Sequence, residues 1–265
     1  MKHKRIDISL ILILAISFLT LVLEFCKINY TSNTLHNAYI SKIIQQGIGG
    51  IAVVLLLLRL KIKLFNAPQN WLYLIPALLI ALDNFQWSSF FHGNMEMIHD
   101  QPADILLFAG YCLSVGMFEE FIFRGIIFAV LLGYFPKTQE GLWKAYIASC
   151  LVFALAHLFN GLSFGTILQV GYTFLTGGLF GFVLLKTKNL FCCGVIHAIY
   201  NFCGLLFETP ERMGLGGGVV FDTGTVLTML FVSLILGAFV LYSIYKYPES
   251  ERKELYLRLD IKEKE

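Results

Sequence analysis

The sequence predicts an all-α polytopic membrane protein of about eight transmembrane helices with a polar cavity inside the membrane. The first reason is composition, because 57% of the 265 residues are hydrophobic and 14% are charged, whereas soluble domains carry about 25% charged residues. The second is pattern, since the apolar residues form runs long enough to cross about 30 Å of hydrocarbon as helices. The third is a set of ionisable residues inside those runs, which predicts the cavity.

Eight apolar runs qualify as spans. They lie near residues 8–25, 40–58, 71–85, 104–135, 143–160, 164–186, 190–207 and 223–245. The first run follows a basic start, as in a signal peptide, but it is long and no small-residue cleavage site follows it, so we expect a retained helix. We interpret the chain, 1–265, as a single multi-span membrane domain with a motif-bearing core at about 104–205.

Lysine and arginine are concentrated on one side of the predicted bundle. Most of them precede the first span or follow the second, fourth, sixth and eighth: Lys2, Lys4, Arg5, Arg59, Lys61, Lys63, Lys137, Lys144, Lys186, Lys188, Arg252, Lys253, Arg258, Lys262 and Lys264. Positively charged loops stay in the cytoplasm. This distribution predicts an integral, multi-pass protein of the cell membrane with both termini cytoplasmic, including a charged, solvated tail at 247–265. The net charge of +2 argues neither for nor against a nucleic-acid partner. We expect membrane lipid as a partner and no nucleic acid.

The fourth span carries three ionisable residues near its middle, namely Glu119, Glu120 and Arg124. A charge at membrane depth costs roughly 3 kcal/mol by translocon-based estimates, so such residues usually face a protein interior or a wet cavity and have a function. Glu120 and Arg124 are four residues apart and share a helix face, where they can form an ion pair. Glu119 is rotated by about 100° from Glu120, and this leaves it free for chemistry.

Two further spans carry polar residues at depth: His157 in the fifth, and His197 with Asn201 on one face of the seventh. A single histidine on an apolar helix is usually a core residue with a local partner. Polar groups on three spans are explained more simply if they meet one another. His157 would lie about 21 Å from the start of the fifth span, and His197 about 10 Å from the start of the seventh. Tilted or broken helices must therefore bring the two histidines to the same depth in the membrane.

These residues form a coherent set for hydrolysis by activated water. The Glu119 carboxylate and one of the two imidazoles, His157 or His197, can take a proton from water, whereas the other imidazole and the Asn201 amide can donate hydrogen bonds to an oxyanion. The same Glu119, His157 and His197 could instead bind a divalent metal such as zinc. However, the sequence lacks His-Glu-x-x-His, which supplies two zinc ligands from one helix. We therefore favour a site without a cofactor and keep the metal as an alternative.

Three short motifs follow one another on separate spans: Glu119-Glu120-x-x-x-Arg124, Phe153-x-x-x-His157 and His197-x-x-x-Asn201. In this order they resemble the motifs of the CAAX-protease and bacteriocin-processing family, also called the CPBP or Abi family, which includes the type II CAAX prenyl endopeptidases. The resemblance implies an intramembrane protease, of the glutamate or metallo type, that cuts a membrane-associated peptide or protein.

The resemblance also implies a role for each motif residue. Glu119 and His157 would activate the water, and His197 and Asn201 would form the oxyanion hole. Glu120 and Arg124 would orient and support the site. No motif position departs from the family pattern, so loss of activity by substitution is not indicated.

Other functions stay open at this stage. A non-catalytic membrane scaffold or immunity protein could use the same fold, and Glu119→Ala would then leave its phenotype intact. A proton-coupled carrier could relay protons through the glutamates and histidines, but it predicts inverted repeats, and the two halves of the sequence show none. The substrate is also open among prenylated C-terminal tails, bacteriocin or pheromone precursors and other clients.

Overall fold

The computed structural model describes residue 15 and residues 30–85, 87–91, 101–162, 164–206 and 223–261. Within these ranges the chain is helical and contains no strand. The prediction of an all-α polytopic membrane protein is confirmed. Apart from Ala15, the first predicted span lies outside the described residues, so the total of about eight spans stays a prediction.

The seven remaining predicted spans coincide with helices. In chain order the helices are α1 (Thr34–Arg59), α2 (Leu74–Asp83, preceded by a 3-10 turn at Trp71–Tyr73), α3 (Trp87–Phe91), α4 (Pro102–Glu120), α5 (Phe128–Tyr134), α6 (Gln139–Ala156, followed by a 3-10 turn at His157–Asn160), α7 (Phe164–Thr187), α8 (Leu190–Leu205), α9 (Thr223–Tyr245) and α10 (Glu249–Arg258). By length and composition, three described stretches can cross a membrane alone: Thr34–Arg59, Gln139–Phe159 and Gln169–Thr187.

The fourth predicted span is interrupted by a π-helical segment, Phe121–Ile127, between α4 and α5. The start of this span, at the N-terminus of α4, is well defined, because Gln101 and Asp104 form a capping box and Pro102 occupies the first turn of α4. The π-helical segment begins directly after Glu120 and contains Arg124. Such segments are rare and often occur at functional sites.

Two glycines allow α4 and α8 to pack closely. A Cβ on Gly116 would lie 2.6 Å from the Gly194 carbonyl oxygen, and a Cβ on Gly194 would lie 2.5 Å from the Met117 sulfur. Only residues without a side chain permit this approach. The contact brings the C-terminal end of α4, with its two glutamates, beside the turn of α8 that carries His197.

The C-terminal tail is docked rather than fully solvated, which corrects the prediction for this segment. In α10 and just after it, Leu255, Tyr256 and Leu259 are buried, and the Lys63 backbone N–H donates to the Arg258 carbonyl at 2.8 Å. The charged run hides this pattern in the sequence, because only a few of its positions are apolar. Their burial fixes α10 against the loop that follows α1.

A buried lysine strengthens this docking. Lys188, in the loop between α7 and α8, is fully buried with its Nζ 3.5 Å from Glu251 and 3.7 Å from Glu254. Glu254 also accepts hydrogen bonds from Gln69 at 2.7 Å and from Arg258 at 2.9 Å. Because a buried ammonium is costly without a partner, these carboxylates tie α10 to the loop.

We expect Glu254→Gln to loosen α10 at neutral pH. Burial pushes the pKa of Glu254 upward, but the hydrogen bonds from Gln69 and Arg258, together with the charges of Lys188 and Arg258, outweigh it and hold that pKa below its ordinary value. A depressed pKa in the folded state means that the carboxylate stabilises docking at neutral pH, and that this contribution is lost as the pH falls through the folded-state pKa. Limited proteolysis of the tail measures the effect.

The variant should be cut faster than wild type near pH 7, and the difference should shrink in acid. Glu249→Gln is the matched control. Glu249 lies on the same helix, but its ion pair with Lys253 is exposed at the surface and should contribute little to docking. Equal protection of wild type and Glu254→Gln at pH 7 would contradict the docking role.

The predicted topology can be tested with reporter fusions. Loops rich in lysine and arginine meet on one face of the described structure, as the contacts of Lys63 with Arg258 and of Lys188 with Glu251 show. We therefore expect reporters placed after Lys63, Lys144, Lys188 and Lys246 to read cytoplasmic. An external readout at Lys144 would overturn the orientation of the helices that carry the motifs.

Candidate active site

A buried carboxylate, that of Glu120, lies between two basic side chains. Its Oε2 is 3.2 Å from Arg124 Nε, and its Oε1 is 2.9 Å from His197 Nδ1. All three side chains are at most 6% exposed. The expected pairing of Glu120 with Arg124 is present, and the bond to His197 is an addition that the sequence did not indicate. Glu120 thus joins the first and third motifs.

The guanidinium of Arg124 is held from several sides. Its Nη2 donates to the Gly177 carbonyl of α7 at 2.8 Å, and its Cζ lies 4.6 Å from the centre of the Phe153 ring and 5.7 Å from that of Phe180. Aromatic faces attract cations, most strongly where water is excluded. A Cβ on Gly177 would lie 3.2 Å from Phe153 and 3.4 Å from Arg124, so glycine gives both side chains room.

The Glu119 carboxylate approaches the other nitrogen of the same imidazole. Glu119 Oε2 is 3.9 Å from His197 Nε2, and the Glu119 side chain is 26% exposed. His197 therefore lies between two glutamates that differ in environment: Glu120 is fully buried and paired, whereas Glu119 borders open space. That Glu119 is the carboxylate available for chemistry stays a prediction.

His157 lies where α6 gives way to the 3-10 turn. Its Nδ1 is 3.0 Å from the Phe153 carbonyl oxygen. Because a carbonyl only accepts hydrogen bonds, Nδ1 carries the proton, and in the neutral ring Nε2 presents a lone pair. Among the described residues, no hydrogen bond links His157 directly to Glu119.

A shared neighbour, Phe153, lies close to both histidines. The Phe153 ring lies 5.1 Å from that of His157 and 5.9 Å from that of His197. α6 begins at Gln139 and ends in a 3-10 turn that starts at His157; that tilted or broken helices bring the two histidines level stays a prediction. Asn201 is partly exposed one turn after His197 on α8.

The part of the chain that carries these residues has known relatives. Residues 101–203 match the family model described as type II CAAX prenyl endopeptidase, Rce1-like. The chain is also 30% identical over 116 residues to CAAX prenyl protease 2 of Saccharomyces cerevisiae, a match that covers 38% of this chain and 36% of that relative. The resemblance to the CAAX-protease family is confirmed.

The CAAX-protease match includes every motif residue from Glu119 to Asn201. The chain spans about a third of the length of the yeast CAAX protease. No solved structure matches the chain. A connection to bacteriocin processing stays a prediction.

Sequence reasoning missed two groups that contact the motif residues, the Phe180 ring and the Gly177 carbonyl. The Phe180 ring is stacked on His197, with ring centres 4.4 Å apart and planes 14° from parallel. Both residues lie on α7, which carries no ionisable residue near this depth and so gave no signal for a site. The contact of α7 with Arg124 is made through the Gly177 carbonyl.

The two histidines proposed as metal ligands each have a hydrogen-bond partner at Nδ1. Nδ1 of His197 is bonded to Glu120 and Nδ1 of His157 to Phe153. In the described part of the chain, no group of three or more His, Cys, Asp or Glu side chains is arranged to hold a metal ion. A metal-bound histidine commonly donates its other ring N–H to a carboxylate or a backbone carbonyl, and the Nδ1 contacts leave Nε2 of both histidines available. The preference for a site without a cofactor stays a prediction.

Proposed function

We propose that this protein is an intramembrane endopeptidase that hydrolyses a peptide bond in a membrane-associated prenylated peptide or protein. The observation that carries the proposal is the position of the partly exposed Glu119 carboxylate, 3.9 Å from the His197 imidazole, which is hydrogen-bonded to the buried Glu120. The family match over residues 101–203 supports the reaction class and the kind of substrate.

Glu119 and His157 activate the attacking water in this proposal. Nε2 of His157 accepts a hydrogen bond from the water and orients it, while the Glu119 carboxylate takes the proton as the hydroxide adds to the peptide carbonyl carbon. The C–N bond then breaks, and the same proton passes from Glu119 to the departing amine. Glu119 is thereby regenerated as a carboxylate, and one water is consumed in each cycle.

His197 and Asn201 stabilise the oxyanion that forms on the carbonyl oxygen. Because Nδ1 of His197 already donates to Glu120, Nε2 donates as well only in the imidazolium form. With Glu119 and Glu120 ionised, an imidazolium at His197 and the guanidinium of Arg124 bring the formal charge of the four groups to zero. Asn201 contributes its amide N–H as the second donor.

The surroundings of His157 suit a substrate that is held in the membrane. Phe159 and Leu162, which follow His157 closely, are 95% and 88% exposed. Large apolar side chains that are exposed in a membrane protein can contact lipid or the lipid part of a bound molecule. They support a substrate with an apolar anchor, and a prenyl group is such an anchor.

A pair of peptides tests the substrate class. Purified protein in lipid vesicles is incubated with a peptide that ends in Cys-a-a-X, either prenylated on the cysteine or unmodified, and cleavage is followed by mass spectrometry. We expect the prenylated peptide to be cut and the unmodified peptide to be cut more slowly or not at all. Equal rates of cleavage for the two peptides would show that the prenyl group is not recognised. If neither peptide is cut, the proposed substrate class is contradicted.

The scaffold hypothesis predicts a different result in cells. If the protein is a protease, membranes from a Glu119→Ala strain should accumulate at least one uncut precursor that wild-type membranes lack. Identical peptidomes, together with full rescue of a deletion phenotype by Glu119→Ala, would favour the scaffold.

We expect hydrolysis to be insensitive to metal removal. Because Glu119 and His157 activate the water directly in this mechanism, a strong membrane-permeant chelator should leave the rate of peptide cleavage unchanged. The measurement is the rate before and after chelation, and again after a divalent ion such as zinc is added. If cleavage is lost on chelation and recovers when the ion is added, the mechanism is metal-dependent and this proposal is contradicted.

A further inference from the structure

We propose that Phe180, which lies outside all three motifs, is a positioning residue that fixes the plane of the His197 imidazole. The proposal rests on the endopeptidase function proposed above. Phe180 lies on α7, only 1% exposed, and its ring covers the face of His197 with centres 4.4 Å apart and planes 14° from parallel. It contacts the site without supplying a polar atom.

The hydrogen bond to Glu120 does not by itself fix the His197 ring. Rotation about the Cβ–Cγ bond of histidine is broad, and a single bond at Nδ1 allows the ring to pivot and carry Nε2 away from Glu119. A flat ring packed in parallel blocks this motion on one face. The Phe153 ring, perpendicular to His197 at 5.9 Å, limits it further.

Phe180 also contacts Arg124, the second basic partner of Glu120. The Arg124 guanidinium carbon lies 5.7 Å from the centre of the Phe180 ring, so one aromatic side chain contacts both basic groups that hold the buried carboxylate. Tyr200 of α8 packs edge-on against Phe180 at 6.3 Å and supports it. Phe180 is thus placed to hold His197, Glu120 and Arg124 in a fixed relative geometry.

Phe180→Leu is the direct test, and Phe182→Leu is its matched control. Phe182 lies on the same helix and is completely buried, but its ring contacts Tyr73 and Phe239 instead of the site. We expect Phe180→Leu to lower kcat for the prenylated peptide by about 10- to 100-fold, as a small misplacement of a reacting group does, and to leave KM unchanged. Phe182→Leu should keep a kcat close to that of wild type.

The control and a second variant separate positioning from packing. Equal loss of kcat in Phe180→Leu and Phe182→Leu, or no loss in either, would overturn the proposal. If Phe180→Leu does not fold, Phe180→Met replaces it, because methionine fills the space flexibly without a flat face. The same loss of kcat is then expected.

An NMR measurement tests the geometry independently of peptide cleavage. In protein with labelled histidine, the His197 Cε1–H resonance is assigned by its absence in His197→Gln. The stacked ring should shield this proton in wild type and in Phe182→Leu, and the resonance should move downfield in Phe180→Leu or Phe180→Met. If wild type cleaves no peptide but the resonance moves as expected, the proposed function fails while the positioning role stands; an unmoved resonance overturns the positioning role.

Discussion

Glu119→Gln is expected to abolish peptide cleavage while leaving the protein folded. The amide keeps the size of the side chain but cannot accept the proton of the attacking water, and a positioned general base contributes about 10²- to 10⁴-fold to a rate. The side chain is 26% exposed and lies 3.9 Å from His197 Nε2, so little stability depends on it. The measurements are kcat for the prenylated peptide and the thermal unfolding midpoint of the same purified preparation.

A comparison with the neighbouring glutamate makes this result decisive. If Glu119→Gln kept the wild-type rate while folded Glu120→Gln was inactive, the roles assigned to the two carboxylates would be reversed. If Glu119→Gln failed to fold, its loss of activity would say nothing about the base, and Glu119→Ala and Glu119→Asp would be measured in its place.

Glu120→Gln is expected to lower the stability of the protein severely. It removes the charge that compensates the fully buried Arg124 guanidinium, and breaking a buried pair by removing one partner costs roughly 3–5 kcal/mol. The substitution also weakens the acceptor that fixes Nδ1 of His197. We therefore expect a low yield of folded protein, a lower unfolding midpoint and, in the folded fraction, a reduced kcat.

Glu140→Gln provides the control for this prediction. Glu140 also pairs with a basic residue four positions later, since its Oε1 is 2.6 Å from Lys144 Nζ, but both side chains are largely exposed. Exposed pairs of this kind contribute little to stability, so yield and unfolding midpoint should stay close to wild type. A Glu120→Gln variant as stable as Glu140→Gln would show that the buried network does not hold the fold together.

Much of the architecture could be predicted because membrane spans are long apolar runs with sharp charged ends. The helices of the last five spans end close to their predicted positions, and the pairing of Glu120 with Arg124 follows from their spacing on one helix. Charged residues at membrane depth need partners, and this requirement alone brought the motif residues of separate spans together in the prediction.

The features that escaped prediction have no comparable signal. The π-helical segment at Phe121–Ile127 has the same apolar composition as the helices on either side of it. Phe180 is one of 24 phenylalanines, and nothing in the sequence distinguishes the one that stacks on His197. The docking of α10 depends on Lys188, which lies about 60 residues upstream of its partners, so local patterning cannot reveal it.

Cleavage of the prenylated peptide in water enriched in oxygen-18 tests the central claim most directly. Wild-type protein in vesicles should release a fragment whose new carboxylate contains one oxygen atom from the solvent, because water adds to the peptide carbonyl. Glu119→Gln, measured in parallel at the same concentration, should release none above background. If folded wild-type protein leaves the peptide uncut, the proposed hydrolysis is contradicted. If Glu119→Gln releases as much labelled product as wild type, the role of Glu119 in activating the water is contradicted.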